Sequence, residues 1–263
     1  MTKIIWNKAG ERFYETGVDR GVLYPNTAPG LPWNGLIAVN EVTEGGEPTA
    51  YYIDGQKYLI LTASEDFAAQ IQAYTYPKEF AENDGTVQLR AGLFIDKQPR
   101  KTFCMSYRTM IGNDTVGEAK GYKIHLIYNA LASPTTRSNS TKTASPTPST
   151  FTWDVKTKPV DIEGRNASAH FIIDSTRINS FLLAALEDIL YGSGSTQPRI
   201  PTPIELLTIF DTYTTLVITD NGDGTWTATG PSEVISMTSA TEFAITFDSA
   251  VMIDDISYTI STL

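Results

Sequence analysis

Apolar and polar residues alternate with a period of two through much of this chain, and this feature restricts its fold more than any other. In the segment 67–74, Phe67, Ala69, Ile71 and Ala73 share one face and polar side chains occupy the other. The same alternation recurs in three more segments, at 103–108, 122–129 and 151–156. This period is typical of strands with one covered face, so the sequence predicts a mainly β, antiparallel protein.

Two local signals refine that prediction. Asp54-Gly55 lies between the apolar runs YYI and KYLI and predicts a tight hairpin turn. The segment 179–191 breaks the β period, because Leu182 and Leu186 recur there at helical spacing and Gly192 follows as a terminator. A helix of about three turns can cover one sheet face. The predicted architecture is an antiparallel β-sandwich with one flanking helix.

The distribution of charge predicts two domains. The chain has a formal net charge of −10, and its last 63 residues, from Pro201 onward, contain nine acids and no Lys or Arg. The first 200 residues hold the other 21 acids against 20 bases. A Gly-, Ser- and Pro-rich stretch precedes the break and has the composition of a linker. We therefore predict a sandwich domain at 1–200 and a small acidic β-rich domain at 201–263, which begins with a short helix capped by Thr202 and Glu205.

A long polar loop interrupts the first predicted domain. Ser133 to Thr150 contains 14 Ser, Thr and Pro residues in 18 positions, and its only charges are Arg137 and Lys142. Loops of this length without secondary structure are uncommon in compact domains and are often functional or disordered. Because strong strand patterns flank it on both sides, we assign it to the first domain.

The sequence shows no pattern typical of catalysis or cofactor binding. Cys104, His125 and His170 each lie within an alternating strand, where the expected role is structural and not nucleophilic. The run 220–224, DNGDG, resembles a calcium loop but lacks the later glutamate ligand, so a hairpin turn is favoured. No glycine pattern predicts a phosphate site. We expect no enzyme activity, no cofactor and no metal.

Composition also bears on location and partners. No apolar run approaches the roughly 20 residues that a membrane span needs, and the N-terminus lacks the apolar core of an export signal. The single cysteine agrees with a reducing compartment. Tight binding of nucleic acid needs clustered Lys and Arg, and the chain has no basic stripe. The expected location is the cytoplasm in which the chain is made.

Six sequence blocks stand out between Arg12 and Tyr191: RFYETGVDRGVLYP, PWNGL, YYIDGQKY, IQAYTYPKEF, SYRTMIGND and GYKIHLIYNA. In this order they resemble the major tail tube proteins of siphophages that infect actinobacteria, which are bacteriophages with long noncontractile tails. The acidic C-terminal segment is similar to an extra domain that some members carry.

The resemblance implies a tail-tube-type β-sandwich with a flanking helix, and hexameric rings whose inner sheets join into one barrel around a lumen. It implies a structural protein of the virion tail that is assembled in the bacterial host cytoplasm. The implied partners are further copies of the chain and the tail terminator, tape measure and distal tail proteins. Genomic DNA would pass through the lumen without tight binding, and no membrane is involved.

Two sets of residues are expected to make contacts in such an assembly. The long loop is expected to reach the next ring through Pro134, Arg137, Lys142, Pro146 and Pro148. The N-terminal Tyr-rich stretch is expected to contact a neighbouring subunit through Asp19, Arg20 and Tyr24. The acidic domain is expected on the outer wall, where solvent screens repulsion between neighbours.

Two other classes of protein remain open. A capsid or tail decoration protein, or a receptor-binding adhesin, would share the β content and the acidity. An enzyme on a β scaffold, such as a glycosidase with paired carboxylates, is the second alternative, although no acid pair stands out in the sequence.

Overall fold

The fold comes from a computed structural model of the chain. It describes residues 3–26, 28–141, 147–178 and 180–214, together with four short strands between 217 and 245. Side chains are described as far as residue 210, apart from Phe181.

The described part of the chain is dominated by strands, as the alternation predicts. The strands are β1 (Phe13–Pro25), β2 (Leu31–Pro32), β3 (Leu36–Gly45), β4 (Pro48–Ile53), β5 (Gln56–Thr62), β6 (Glu65–Ala73), β7 (Val87–Arg90), β8 (Leu93–Ile95), β9 (Phe103–Asn113), β10 (Gly117–Ala132), β11 (Phe151–Thr157), β12 (His170–Asp174), β13 (Val217–Asp220), β14 (Trp226–Thr229), β15 (Ile235–Met237) and β16 (Phe243–Ile245). The helices are α1 (Ser180–Tyr191), α2 (Pro203–Thr214) and a 3₁₀ turn (Lys78–Glu82).

One antiparallel sheet organises the first 200 residues. Its strand order is β2-β1-β9-β10-β11-β6-β3, and β12 also pairs with β10. The four segments whose alternation predicts strands all lie in this sheet, as β6, β9, β10 and β11. The mainly β, antiparallel fold class is therefore confirmed.

The sheet divides into two branches at strand β10, and we call it the forked sheet. Its residues 123–127 pair with β12, and its residues 130–132 pair with β11. The change of partner falls at a bulge between Ile127 and Ala130, where Asn129 has a φ of 48°. Asparagine tolerates this left-handed conformation better than most residues. The fork lets the β11-β6-β3 branch fold over the β1-β9-β10 part.

Two apolar clusters lie on opposite faces of the β1-β9-β10 part. The first fills the space under the β11-β6-β3 branch and contains Met105, Ile127 and Trp153. The second contains Ile124 and Leu126 and lies under the helices. Burial of an apolar side chain of this size contributes about 1.5–3 kcal/mol, so both faces stabilise the fold.

The prediction of one covered face is wrong for β10. Its alternating set Ile124, Leu126 and Tyr128 packs under the helices, and the intervening His125 and Ile127 are equally buried against the other branch. The polar His125 makes the strand look half-exposed in sequence, but it is accommodated by hydrogen bonds inside the fold.

Helix α1 confirms the helical spacing between 179 and 191. Leu182, Leu186 and Leu190 are buried on its inner face. The helix ends where Gly192, with a φ of 83°, donates its backbone N–H to the Asp188 carbonyl at 3.0 Å. The helix covers the sheet, as expected for an amphipathic segment of this length.

Helix α2 begins with the predicted capping box. The Thr202 hydroxyl accepts the Glu205 backbone N–H at 3.2 Å, and the Glu205 carboxylate also binds Arg199. The helix is longer than expected, and its Leu206 is buried in the cluster under α1. A second helix therefore covers this face. The division of the chain at residue 201 stays a prediction.

Beyond α2, the described segments form two small two-stranded antiparallel sheets, β13–β14 and β15–β16. Asp220 pairs with Trp226, so the strands on either side of the run 220–224 are paired as predicted, whereas the run after Asp220 lies outside the described residues. No helix in the part of the chain that the structure describes is long and apolar enough to cross a membrane.

Candidate functional site

Among the described residues, the β4–β5 hairpin holds the largest group of exposed apolar side chains. Asp54 and Gly55 form its turn with φ values of 51° and 75°, which confirms the predicted tight hairpin. Among the described strands, β4 and β5 pair only with each other. Its large apolar side chains are 37–68% exposed; they are Tyr51, Tyr52, Ile53, Tyr58, Leu59, Ile60 and Leu61.

A hairpin of this kind is poorly suited to water. An isolated two-stranded hairpin is marginally stable at best, because neither of its faces is covered. Contiguous apolar patches of this size on a protein surface mark interaction sites. Both faces of the β4–β5 hairpin carry such side chains, because neighbouring residues along β5 point to opposite sides. The hairpin therefore has the properties of a docking element.

Two further apolar segments are exposed elsewhere. The β7–β8 hairpin exposes Leu89, Leu93 and Phe94, and the N-terminal segment exposes Ile5 and Trp6. These segments lie apart from the β4–β5 hairpin in sequence and pair with no other described strand. The described part of the chain thus presents apolar surface at several places.

The three N-terminal contact residues all engage their own chain. Asp19 accepts hydrogen bonds from Arg108 Nε at 2.9 Å and Nη2 at 2.7 Å. This pairing lowers the pKa of Asp19 below its usual value. The Arg20 guanidinium lies 5.8 Å from the centre of the Tyr191 ring. These contacts tie β1 to β9 and to the end of α1.

Tyr24 is buried. Its hydroxyl donates to the Leu190 carbonyl at 2.9 Å and lies 3.1 Å from the Ser106 hydroxyl, and burial raises its pKa above the usual value. The side chain therefore fastens β1 to α1. An inter-subunit role for Asp19, Arg20 and Tyr24 stays a prediction.

Removing Asp19 tests its role inside the chain. The Arg108 side chain is only 9% exposed, so Asp19→Ala leaves a buried cation without its partner. We expect a loss of about 1–3 kcal/mol in the free energy of unfolding, measured by urea denaturation. Asp161→Ala, at an exposed acid, is the matched control and should change stability by less than about 0.5 kcal/mol. Unchanged stability in Asp19→Ala together with lost self-association would instead indicate an inter-subunit contact.

The long loop is partly attached to its own chain. Arg137 forms an ion pair with Asp84, and its guanidinium lies 5.6 Å from the centre of the Phe151 ring. Pro134 and Pro148 are exposed. Lys142 and Pro146 lie outside the described residues. The inter-ring role of all five residues stays a prediction.

A polar cluster that the sequence does not predict lies inside the sandwich, where Glu41 of β3 meets His125 of β10 and His170 of β12. His125 Nδ1 is 3.2 Å from Glu41 Oε1 and 3.1 Å from His170 Nε2. Glu41 is 39% exposed, whereas the His125 and His170 side chains are 5% and 11% exposed. The two histidines are buried strand residues, as predicted, but their convergence on a carboxylate appears only in three dimensions.

The surroundings of the cluster shift two pKa values. Hydrogen bonding from His125, and from the Tyr107 hydroxyl at 2.6 Å, outweighs burial and lowers the pKa of Glu41 to about 2. Burial lowers the pKa of His170 to about 4. An ionised carboxylate therefore faces a neutral His170 over most of the pH range. Cys104 lies apart from the cluster, and burial raises the pKa of its thiol, which disfavours a nucleophilic role.

No protein-family model matches the sequence, and no curated protein matches it. Two solved structures are similar in part. One is the baseplate of the anti-feeding prophage, with 10% identity over 65% of this chain and 97% of that chain and a TM-score of 0.34. The other is the tube-terminating cap of the same prophage, with 9% identity over 66% and 97% of the two chains and a TM-score of 0.30. TM-scores this low do not establish a shared fold.

Proposed function

We propose that this chain is a structural virion protein that polymerises, as stacked hexameric rings, into the tail tube of a bacteriophage. The β4–β5 hairpin is the observation that carries this proposal. It exposes large apolar side chains on both faces and has no partner strand in the described chain. Because such a hairpin is marginally stable alone, we infer that neighbouring copies of the chain cover it.

Open sheet edges support association between copies. The forked sheet ends at β2 and β3, and β12 pairs only with β10 among the described strands. Unpaired edges present backbone donors and acceptors to any neighbouring strand. When head-to-tail contacts close into a ring, each subunit pairs both of its open edges with its two neighbours. The ring then stops growing at a fixed number of subunits. Stacking of the rings then requires separate surfaces, which the exposed hairpins supply.

The charge of the chain supports a conduit for DNA. The net charge is −10, and no basic stripe occurs in the sequence. Tight binding of nucleic acid depends on Lys and Arg contacts to phosphates. A wall without such contacts lets DNA pass without holding it.

The remaining elements have roles within the same proposal. We assign the loop 133–150 to contact with the next ring and the acidic segment after residue 201 to the outer wall. The tail terminator, tape measure and distal tail proteins would cap, fill and end the tube. If the acidic segment lies outside the tube, solvent and salt screen the repulsion between its copies.

Purified protein tests this proposal directly. With rising concentration, we expect light scattering to report a growing mass and negative-stain electron microscopy to show six-fold rings and tubes, because association follows mass action. A chain that stays monomeric over all concentrations and salts contradicts the proposal. Discrete particles that never form rings would favour a decoration protein, an adhesin or an enzyme.

A further inference from the structure

The cluster of Glu41, His125 and His170 brings together the ligand types of a transition-metal site. One atom from each residue lies within 4.8 Å of the other two. We propose that this cluster binds one divalent transition-metal ion, with Zn²⁺ as the best match. The site is independent of whether the chain assembles.

The spacing of the ligand atoms fits such an ion. In a tetrahedral site with metal–ligand bonds of about 2.0–2.1 Å, two ligand atoms lie roughly 3.3 Å apart. His125 Nδ1 lies 3.1 Å from His170 Nε2 and 3.2 Å from Glu41 Oε1. The Glu41 and His170 ligand atoms are farther apart, within 4.8 Å, so rotations of these two side chains would have to close the ligand set around an ion.

The number of protons that the cluster can hold also favours a bound cation. His125 Nδ1 faces both a carboxylate oxygen and a second imidazole nitrogen. A neutral imidazole carries one N–H, so His125 Nδ1 can donate one proton while two acceptors compete for it. A metal ion accepts a lone pair from each of the three atoms and removes this competition.

The residues around the cluster orient its ligands. The Thr109 hydroxyl lies 3.0 Å from His125 Nε2, the nitrogen that points away from the cluster. In the metal-bound form, the His125 proton would move from Nδ1 to Nε2 and be donated to this oxygen, which leaves the Nδ1 lone pair for the ion. The Tyr107 hydroxyl donates to Glu41 Oε1, and the Tyr107 ring stacks on His125 at 4.5 Å between ring centres. Such outer contacts fix the ligands of metal sites.

Packing also restrains His170. The Phe67 ring lies 4.2 Å from the His170 ring, measured between centres. The Ser168 hydroxyl accepts the backbone N–H of His170 at 3.2 Å. Both contacts hold His170 at the start of β12, facing His125.

The ligand set selects the class of ion. Two imidazoles and one carboxylate suit Zn²⁺ and its neighbours, whereas Ca²⁺ and Mg²⁺ prefer oxygen ligands throughout. A groove of about 920 Å³ is lined in part by Phe67 and His170, and Glu41 is itself 39% exposed. Two of the three ligand residues are therefore open to an ion and to a water molecule from solvent.

A bound ion would cross-link the two branches of the forked sheet. Glu41 lies on β3, at the far edge of the β11-β6-β3 branch, while His125 and His170 lie on β10 and β12. These strands share no backbone ladder with β3. The ion would therefore connect β3 to β10 and β12, with which β3 shares no backbone hydrogen bonds, and would raise the melting temperature of the subunit.

Titration of chelator-treated protein with Zn²⁺ tests the proposal. At a pH above 7, chosen because metal binding requires deprotonated ligands, calorimetry should show saturable binding of one ion per chain and thermal denaturation should shift upward. Co²⁺ in place of Zn²⁺ should give the intense visible bands of a four-coordinate ion. Absence of saturable one-per-chain binding, or only the pale spectrum of six-coordinate Co²⁺, overturns the site.

Substitutions separate this site from adventitious binding. Glu41→Gln preserves the shape of a half-exposed side chain, and His170→Gln removes the second imidazole. Each should weaken Zn²⁺ binding at least tenfold and abolish the thermal shift. Glu44→Gln is the control, because Glu44 lies on the same strand and pairs with Lys156 at the surface; its affinity should equal that of the unmodified chain. Equal affinity in all four proteins overturns the proposal, and circular dichroism confirms that each is folded.

Discussion

Replacing Tyr58 and Ile60 together with glutamate should abolish assembly. Their side chains are 68% and 53% exposed, and both belong to β5. If a neighbouring copy covers them, each contributes about 1.5–3 kcal/mol to the contact, and the glutamates would also have to be desolvated. Since each 1.4 kcal/mol changes an equilibrium tenfold, the concentration needed for assembly should rise on the order of 100-fold or more, as measured by light scattering.

The matched control changes charge equally at exposed apolar residues outside the hairpins. Val116→Glu combined with Ile204→Glu adds the same two charges at side chains that are 53% and 76% exposed, and its assembly should resemble that of the unmodified chain. Both double variants should melt like the parent subunit, because the replaced side chains bury little surface within the chain. Normal rings from the Tyr58/Ile60 variant would show that these two side chains form no interface.

Acidification should destabilise the metal-free subunit in two steps. His170 has a pKa of about 4 in the fold against 6.5 when solvated, so between these values the unfolded chain binds a proton that the folded chain does not. Stability is therefore complete above pH 6.5 and falls toward pH 4, by roughly 3 kcal/mol in total. Glu41 has a pKa of about 2 in the fold against 4.5 when solvated. Its protonation therefore causes a second loss of stability as the pH falls from 4.5 toward 2.

Urea denaturation at a series of pH values, with a chelator present, measures this dependence. His170→Gln carries no titratable ring and should lose the slope between pH 6.5 and 4 while keeping the step at lower pH. Glu44→Gln again serves as the control and should retain both steps. A stability profile that is flat from pH 6.5 to 4 in the unmodified chain would contradict the burial argument for His170.

Local patterns predicted most of the secondary structure. The period of two located strands in the forked sheet, the leucine spacing located α1, and Asp54-Gly55 located a hairpin, because each signal depends on neighbours in sequence. The number of covered faces was not predictable in this way. On β10, the polar His125 suggested a solvent face, but its partners Thr109 and His170 come from other strands.

The convergence of the polar cluster could not be predicted from the sequence for a related reason. Glu41, His125 and His170 are far apart in the chain, and they meet because a bulge near Asn129 turns one branch of the sheet over the other. No spacing rule encodes that fold-back. The exposed β4–β5 hairpin was likewise predicted as a hairpin but not as an uncovered one, since exposure depends on which strands remain unpaired.

The fork in the sheet also has a mechanical consequence. One continuous strand, β10, carries the backbone ladder to β12 and then the ladder to β11. A force that pulls on one branch is therefore transmitted to the other through covalent bonds, and tearing the branches apart requires shearing rows of hydrogen bonds at the same time. A filament built from such subunits can flex at the contacts between them while each unit keeps its shape under tension.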